Sequence, residues 1–392
     1  MTAQTERVYL DHANGTALRP EVIRAMQRAM SWIGNPSSLH AEGRAAGRGI
    51  DRSRAELAAL IGAQSEEIFF TSSGTEANSW ALLGLTNATA TKGRHLVVSS
   101  IEHLSILQTA KRLEREGWKV TWIPVGGTGR IDPDALERAL TPETVLVSVQ
   151  WANGEVGTLQ PMEELVRRVK SKGILFHSDA VAAAGQVPID VRKVSVDLLS
   201  LAANTFGGPP GVGALFVRKG VRIVPLFIGG AQEEGRRAGA ENGLGIVGMG
   251  EAAALARQEL PRWDSQLIPL RDRLIQGILE RIPETSLNGD PMHRLPGHVS
   301  VSFPGVDAEA LALALDLNGA AVGLGSACTA KTMKASHVLK AMGIEESRAL
   351  GTITCTLGIQ TSEEELQRFL DLLPRVVAQQ RSVQLLREGL NG

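Results

Sequence analysis

The side chains that could do chemistry are Thr75, His103, Asp179, Asn204, Thr205 and Cys328. Thr75 lies in "TSSGTEAN", where backbone N–H groups and a hydroxyl gather at a helix start and suit an anion such as phosphate. An ordinary capped helix with Glu76 in its first turn reads the same way. His103, in "SSIEHLSIL", comes just past a strand, where histidines more often cap or pack than react. Asp179 ends the apolar stretch "ILFHSDA", and a carboxylate there needs a partner, because burying it unpaired costs several kcal/mol. Cys328 stands in "GLGSACTAKTMKASHVL", a loop of small residues ahead of a helix, where a thiol can be exposed and its pKa lowered. A lone cysteine is more often a buried small hydrophobe, but Gly325, Ser326 and Ala327 favour the loop. Asn204 and Thr205 occupy a polar corner in "DLLSLAANTFGGPPGVGALFVRKG". Such a corner usually holds something, yet there is no lysine from Val194 to Val217.

From about residue 50 the chain alternates helix and strand patterns. "SRAELAALIGA", "TEANSWALLGLTNAT", "HLSILQTAKRLEREG", "PDALERAL" and "MEELVRRVKSKG" are amphipathic or capped helices. Between them "EEIFFTSS", "RHLVVSS", "KVTWIPV", "TVLVSVQ" and "ILFHSDA" are short apolar strands, as in a mostly parallel sheet with helices on both faces. "DLLSLAA" and "GALFVRK" read as an antiparallel pair across a Gly/Pro turn. After about residue 260 a long helix, "WDSQLIPLRDRLIQGILERI", opens a different pattern of strand, helix, Cys328 loop, strand and helix. The expectation is an α/β chain with a large domain over residues 16–260. Residues 1–15 with 261–392 form a smaller α/β domain. In open α/β sheets ligands bind beyond the carboxyl ends of strands, often at a helix N-terminus, and the loops of Thr75, His103, Asp179 and Cys328 fall there.

The 392 residues are 43% hydrophobic and 21% charged with net charge -1, which is ordinary globular composition. Near-zero charge speaks against a nucleic-acid or membrane-surface partner, and "RRVKSK" reads as a solvated helix face. "MTAQTERVYLDHANG" lacks the basic and apolar regions of a signal peptide, and no apolar run approaches the roughly 20 residues of a membrane span. Two cysteines, Cys328 and Cys355, form no disulfide framework and fit a reducing compartment, so a cytoplasmic protein is expected.

"VYLDHANGT", "GNPSSLH", "FFTSSGTEAN", "SIEHLSIL", "GEVGTLQP", "HSDAVAAAGQVPIDV", "GPPGVGALFVRKG", "IGGAQEEGRRAGAENG", "HRLPGHVSVSF" and "GSACT", in this order and spacing, resemble the cysteine desulfurase family. These are pyridoxal-phosphate enzymes of aminotransferase fold type I, class V. The resemblance covers nearly the whole chain. It implies Asp179 as partner of the pyridine nitrogen, His103 as the residue stacked on the ring, Thr75 as a phosphate ligand and Cys328 as the sulfur acceptor. In the family the persulfide formed on that cysteine passes to a scaffold or tRNA-modifying partner.

Other family positions differ here. Where the family has Ser-Gly-His-Lys, this chain has Ala202, Ala203, Asn204 and Thr205, so the Schiff-base lysine position is a threonine. Gly154 and Ala182 stand for the asparagine and glutamine near the ring hydroxyl. Ala240 stands for the threonine that crosses from the second subunit, and Thr354 for the arginine that binds the substrate carboxylate. A general base alone is worth about 10²–10⁴ in rate. The leading expectation is therefore a chain that has lost covalent pyridoxal phosphate. It would act in sulfur transfer, or as a partner-binding pseudoenzyme, through Cys328. The alternative is a working cysteine desulfurase or lyase whose pyridoxal phosphate is bound without a covalent link. A third reading makes Cys328 a metal or iron–sulfur ligand beside a scaffold protein, although no second cysteine stands at ligand spacing and alternation turns Cys355 into the core. All three expect a homodimer, because "GGAQEEGRRAGAEN" reaches the neighbouring pocket in the family.

Overall fold

The computed structural model describes residues 7–325 and 335–391, so Cys328 lies outside the described residues. The chain begins with β1 (Val8–Leu10), α1 (Pro20–Ala29), α2 (Ala41–Ile61), β2 (Ile68–Thr71) and α3 (Gly74–Thr89). It continues through β3 (His95–Ser99), α4 (Leu104–Arg115), β4 (Lys119–Ile123), α5 (Pro133–Ala139), β5 (Thr144–Ser148), α6 (Met162–Lys170) and β6 (Leu175–Asp179). Then come β7 (Leu198–Ala202), β8 (Gly213–Val217), α7 (Gly243–Arg281), β9 (Ser286–Leu287), β10 (His298–Ser302), α8 (Ala308–Leu317) and β11 (Ala320–Val322). The last elements are α9 (His337–Ala341), α10 (Glu346–Ala349), β12 (Thr352–Thr356) and α11 (Glu363–Asn391).

A seven-stranded sheet runs in the order β2-β8-β7-β6-β5-β3-β4. The pairs from β7 to β4 are parallel, as expected of strands joined by helices. β8 is antiparallel to both β7 and β2, so the corner of Asn204 and Thr205 is a tight reversal at one end of β7. Alternate residues of each strand face opposite sides. Ile68, Phe70, Leu199 and Phe216 pack with α1, α2, α5, α6 and the first half of α7. Phe69, Leu198 and Leu215 pack with α3 and α4 on the other side. This is an α/β sheet with helices on both faces.

A separate core gathers β1, β10, β12, α8, α11 and the second half of α7. β1 joins it by pairing in parallel with β11, and β10 lies between β12 and β9. Residue 260 falls within α7, which spans both cores: Met249 and Ala253 belong to one, Leu267 and Leu274 to the other. Helix was expected only from Trp263. The earlier stretch, "GLGIVGMG", has poor intrinsic propensity, but its glycines let α7 press onto its neighbours. A Cβ on Gly250 would come 2.5 Å from the Cα of Ser53 on α2, and one on Gly248 would come 2.7 Å from Pro209. Tertiary packing overrides propensity there. Cys355 is buried in the second core, on a strand whose five residues are all buried. Among the described residues no helix is long and apolar enough to cross a membrane.

Candidate functional site

A cavity of about 310 Å³ opens beyond the ends of β3, β5, β6 and β7 that lie toward α3 and α4. Thr75, His103, Asp179, Asn204 and Thr205 all line it. Four junctions deliver them: the start of α3, the turn into α4, the last residue of β6, and the turn after β7, which carries both Asn204 and Thr205.

Asp179 is buried and held from two sides. Val181 N–H donates to Oδ1 at 2.9 Å and Asn78 Nδ2 to Oδ2 at 2.6 Å. Asn78 lies on α3 one turn after Thr75, so both reach the same region. Its amide also donates to Ser105 Oγ at 2.9 Å, and Ser105 bonds His103 Nδ1 at 2.7 Å. Because Nδ1 also accepts from Ser105 N–H at 3.1 Å, the neutral ring carries its proton on Nε2. His103 is thus both the N-cap of α4 and the end of a chain leading to Asp179. Burial raises the Asp179 pKa, while Val181 N–H, His103 and Asn78 work against it.

Two further carboxyls line the cavity. Glu102 has no exposed surface; Oε1 accepts Gln150 N–H at 2.7 Å and Oε2 is buried without a protein partner. Burial and then nearby Asp179 drive its pKa well above the usual carboxylate range, against the pull of the Gln150 N–H. Glu155 is raised by burial and opposed by a hydrogen bond from Ser336 and by His337 and His103. His298, beside it, donates from Nε2 to the Glu155 carbonyl at 3.1 Å and is lowered by burial to about 4. Among the described lining residues there is no lysine or arginine.

Beneath Asp179, His177 on the same strand face bridges three strands, bonding Ser148 and Ser200 at 2.9 Å each, and burial lowers it to about 3. It braces the floor without touching the cavity. Thr205 turns its hydroxyl proton to the carbonyls of Val181 at 2.7 Å and Ala202 at 3.1 Å. Asn204 is half-buried and its carbonyl accepts from Thr16 N–H.

Gly154, Ala182 and Ala202 line the cavity with Asn204 and Thr205. Two positions assigned to the same pocket do not. Thr354 is buried against the Glu155 carbonyl, 3.4 Å from its hydroxyl. Ala240 lies beside Arg237 and Glu241 at a different depression, on the stretch expected to reach a second subunit. Asn78, Glu102, Ser105 and Glu155 were not singled out in the sequence. The i,i+3 spacing of Thr75 and Asn78 was a usable signal; nothing local marks Glu102 or Glu155 as facing the cavity.

The family described as aminotransferase class-V matches residues 8–369. A relative named cysteine desulfurase IscS from Methanosarcina thermophila is 43% identical over 384 residues, 98% of this chain and 95% of that protein. A relative of the same name from Dictyoglomus turgidum is 44% identical over 377 residues, 96% of each chain. A solved structure named NifS-like protein superposes with a TM-score of 0.89 at 35% identity, covering 95% of this chain and 99% of that one. These likenesses correct the leading expectation. A chain this similar, end to end, to proteins named for a catalytic activity is not read as a pseudoenzyme that has shed its cofactor; the findings favour the working-enzyme alternative.

Proposed function

The chain belongs to the class-V aminotransferase family, and from that premise we propose that it is a cysteine desulfurase that holds pyridoxal phosphate without a covalent link. The observation that carries this reading is the convergence of Asp179, His103 and the N-terminus of α3 on one cavity.

The residues present fit the cofactor. Thr75 is exposed at the start of α3, where it and the local N–H groups would hold the phosphate. Asp179, buried and already accepting on both oxygens, would hold the ring nitrogen. Asn78, which orients it, leaves Oδ1 buried without a protein partner. Asn204 and Thr205 would bound the opposite wall. Thr205 cannot form an imine, which is why the reading is non-covalent. When bound, the cofactor supplies an electron sink that lets the bond to sulfur break. Asp179 would keep the ring nitrogen protonated, and His103 would flank the ring with Nε2–H available as a proton donor. Cys328 would take the sulfur: L-cysteine and a thiol give L-alanine and a persulfide, with every atom accounted for.

The rest of the reading follows. Residues 16–260 form the cofactor part, and residues 1–15 with 261–392 form the part that carries Cys328. The chain works as a cytoplasmic homodimer and hands sulfur to an acceptor or scaffold protein. The test is a visible absorption titration with pyridoxal phosphate, then L-cysteine, with sulfide and alanine assayed. Saturable binding followed by a cysteine-dependent spectral change and alanine release is expected. Absence of binding at millimolar cofactor overturns the proposal.

A further inference from the structure

We propose that Asn78 and Ser105 are positioning residues that carry the charge of Asp179 to His103 and fix which ring nitrogen of His103 bears the proton. The carboxamide of Asn78 is buried and donates twice from Nδ2, to Asp179 Oδ2 at 2.6 Å and to Ser105 Oγ at 2.9 Å. Its own oxygen, Oδ1, is left buried without a protein partner. A buried amide rarely gives up its acceptor, and the reason here is Asp179. Turned over, the amide would set Oδ1 against the carboxylate and strand two N–H donors. Nor can Asp179 rotate away, because its Oδ1 is taken by Val181 N–H at 2.9 Å. An ionised Asp179 therefore allows Asn78 one orientation only.

The direction of each later bond is then fixed. Ser105 Oγ accepts from Asn78, so its single proton is left for His103 Nδ1, 2.7 Å away. Ser105 N–H reaches the same nitrogen at 3.1 Å. With two donors on Nδ1, the proton of the neutral ring stays on Nε2. The order reverses if residue 179 donates instead of accepting: the amide turns, the Ser105 hydroxyl turns toward it, and Nδ1 loses that proton. The carboxylate that would hold a protonated ring nitrogen thus also keeps an N–H on the residue flanking the ring. That catalytic consequence rests on the desulfurase reading; the hydrogen-bonded chain does not.

The test is nitrogen NMR of the full-length protein labelled in histidine, without cofactor and at about pH 9, where an ordinary imidazole is neutral. The His103 signals are those lost in His103→Gln. Wild type is expected to show a protonated Nε2 and an unprotonated, hydrogen-bonded Nδ1. Asp179→Asn turns an amide donor toward Asn78 and is expected to move the Nδ1 signal. The same change made in a Ser105→Ala background is expected to leave that signal in place. An equal shift in both backgrounds would mean that Asp179 acts directly through its field, and overturns the proposal. So does a wild-type Nδ1 that bears the proton. If Ser105→Ala does not fold, Asn78→Ala cuts the same chain and serves as the background. In protein loaded with pyridoxal phosphate, Ser105→Ala should lower kcat for alanine release about 10–100-fold at unchanged cofactor affinity. Ser105→Thr, which keeps the hydroxyl, should restore it. A loss that threonine leaves uncorrected, or that follows lost cofactor affinity, overturns the positioning role. If wild type itself releases no alanine, the desulfurase reading falls, and the nitrogen signals still decide the role of Asn78 and Ser105.

Discussion

At the residue scale, the site is defined by carboxyls and amides, with no lysine or arginine among its described lining residues. Thr205 is the simplest lever. Its side chain lines the cavity and its hydroxyl is spent on main-chain carbonyls. Thr205→Lys should convert loosely held pyridoxal phosphate into a borohydride-reducible adduct that survives dialysis; a fully dialysable cofactor in that variant would refute the placement of the ring beside residue 205. Glu102 offers a pH test. Its folded pKa lies well above its unfolded value of about 4.3. Between those values the native state binds more protons than the unfolded one, so this group makes stability fall as pH rises through the window. Glu102→Gln removes that dependence. Its melting temperature relative to wild type should therefore climb steadily from about pH 5 upward. A difference flat in pH would mean that Glu102 is not buried as a neutral acid.

At the element scale, two devices hold the site. One is the stretch after β8. Glu233, at φ 50, takes a bidentate pair from Arg54 at 2.7 and 2.8 Å and accepts Phe70 N–H at 2.8 Å, while Arg237 pairs with Glu76 in the first turn of α3 at 2.9 Å. The stretch is thereby fastened to the sheet edge and to the helix that begins at Thr75. Arg54→Ala leaves the Glu233 carboxylate buried and unpaired, and should cost about 3–5 kcal/mol in urea unfolding. A loss below about 1 kcal/mol would show the pair to be solvent-screened. The other device is the glycine face of α7. Gly250→Ala drives a methyl against the backbone of α2 and should destabilise by about 1–3 kcal/mol, although alanine is the better helix former.

At the scale of the whole molecule, one chain leaves large apolar side chains in water. Ile228 is 92% exposed, Leu39 90% and Ile33 88%. Ile228 directly precedes the stretch expected to cross to a second subunit. Burying such side chains is worth about 1.5–3 kcal/mol each, which favours a second copy of the chain as their cover. Sedimentation should therefore give a dimer mass, and Ile228→Asp should shift it toward monomer. A wild-type monomer would remove the basis for a shared pocket.

The sequence by itself determined the class of fold, because short apolar strands alternating with amphipathic helices admit few packings. It also determined which loops could hold a ligand, since strand ends and helix starts place Thr75, His103 and Asp179 in one region. The antiparallel corner followed from the local pattern as well. Only the tertiary structure decided that Asn78 and Ser105 join His103 to Asp179, that Glu102 is a fully buried carboxyl with its pKa raised, and that Glu155 accepts from Ser336. Those facts depend on contacts between residues far apart along the chain, and on the loss of water around them. A local pattern of residue types records neither.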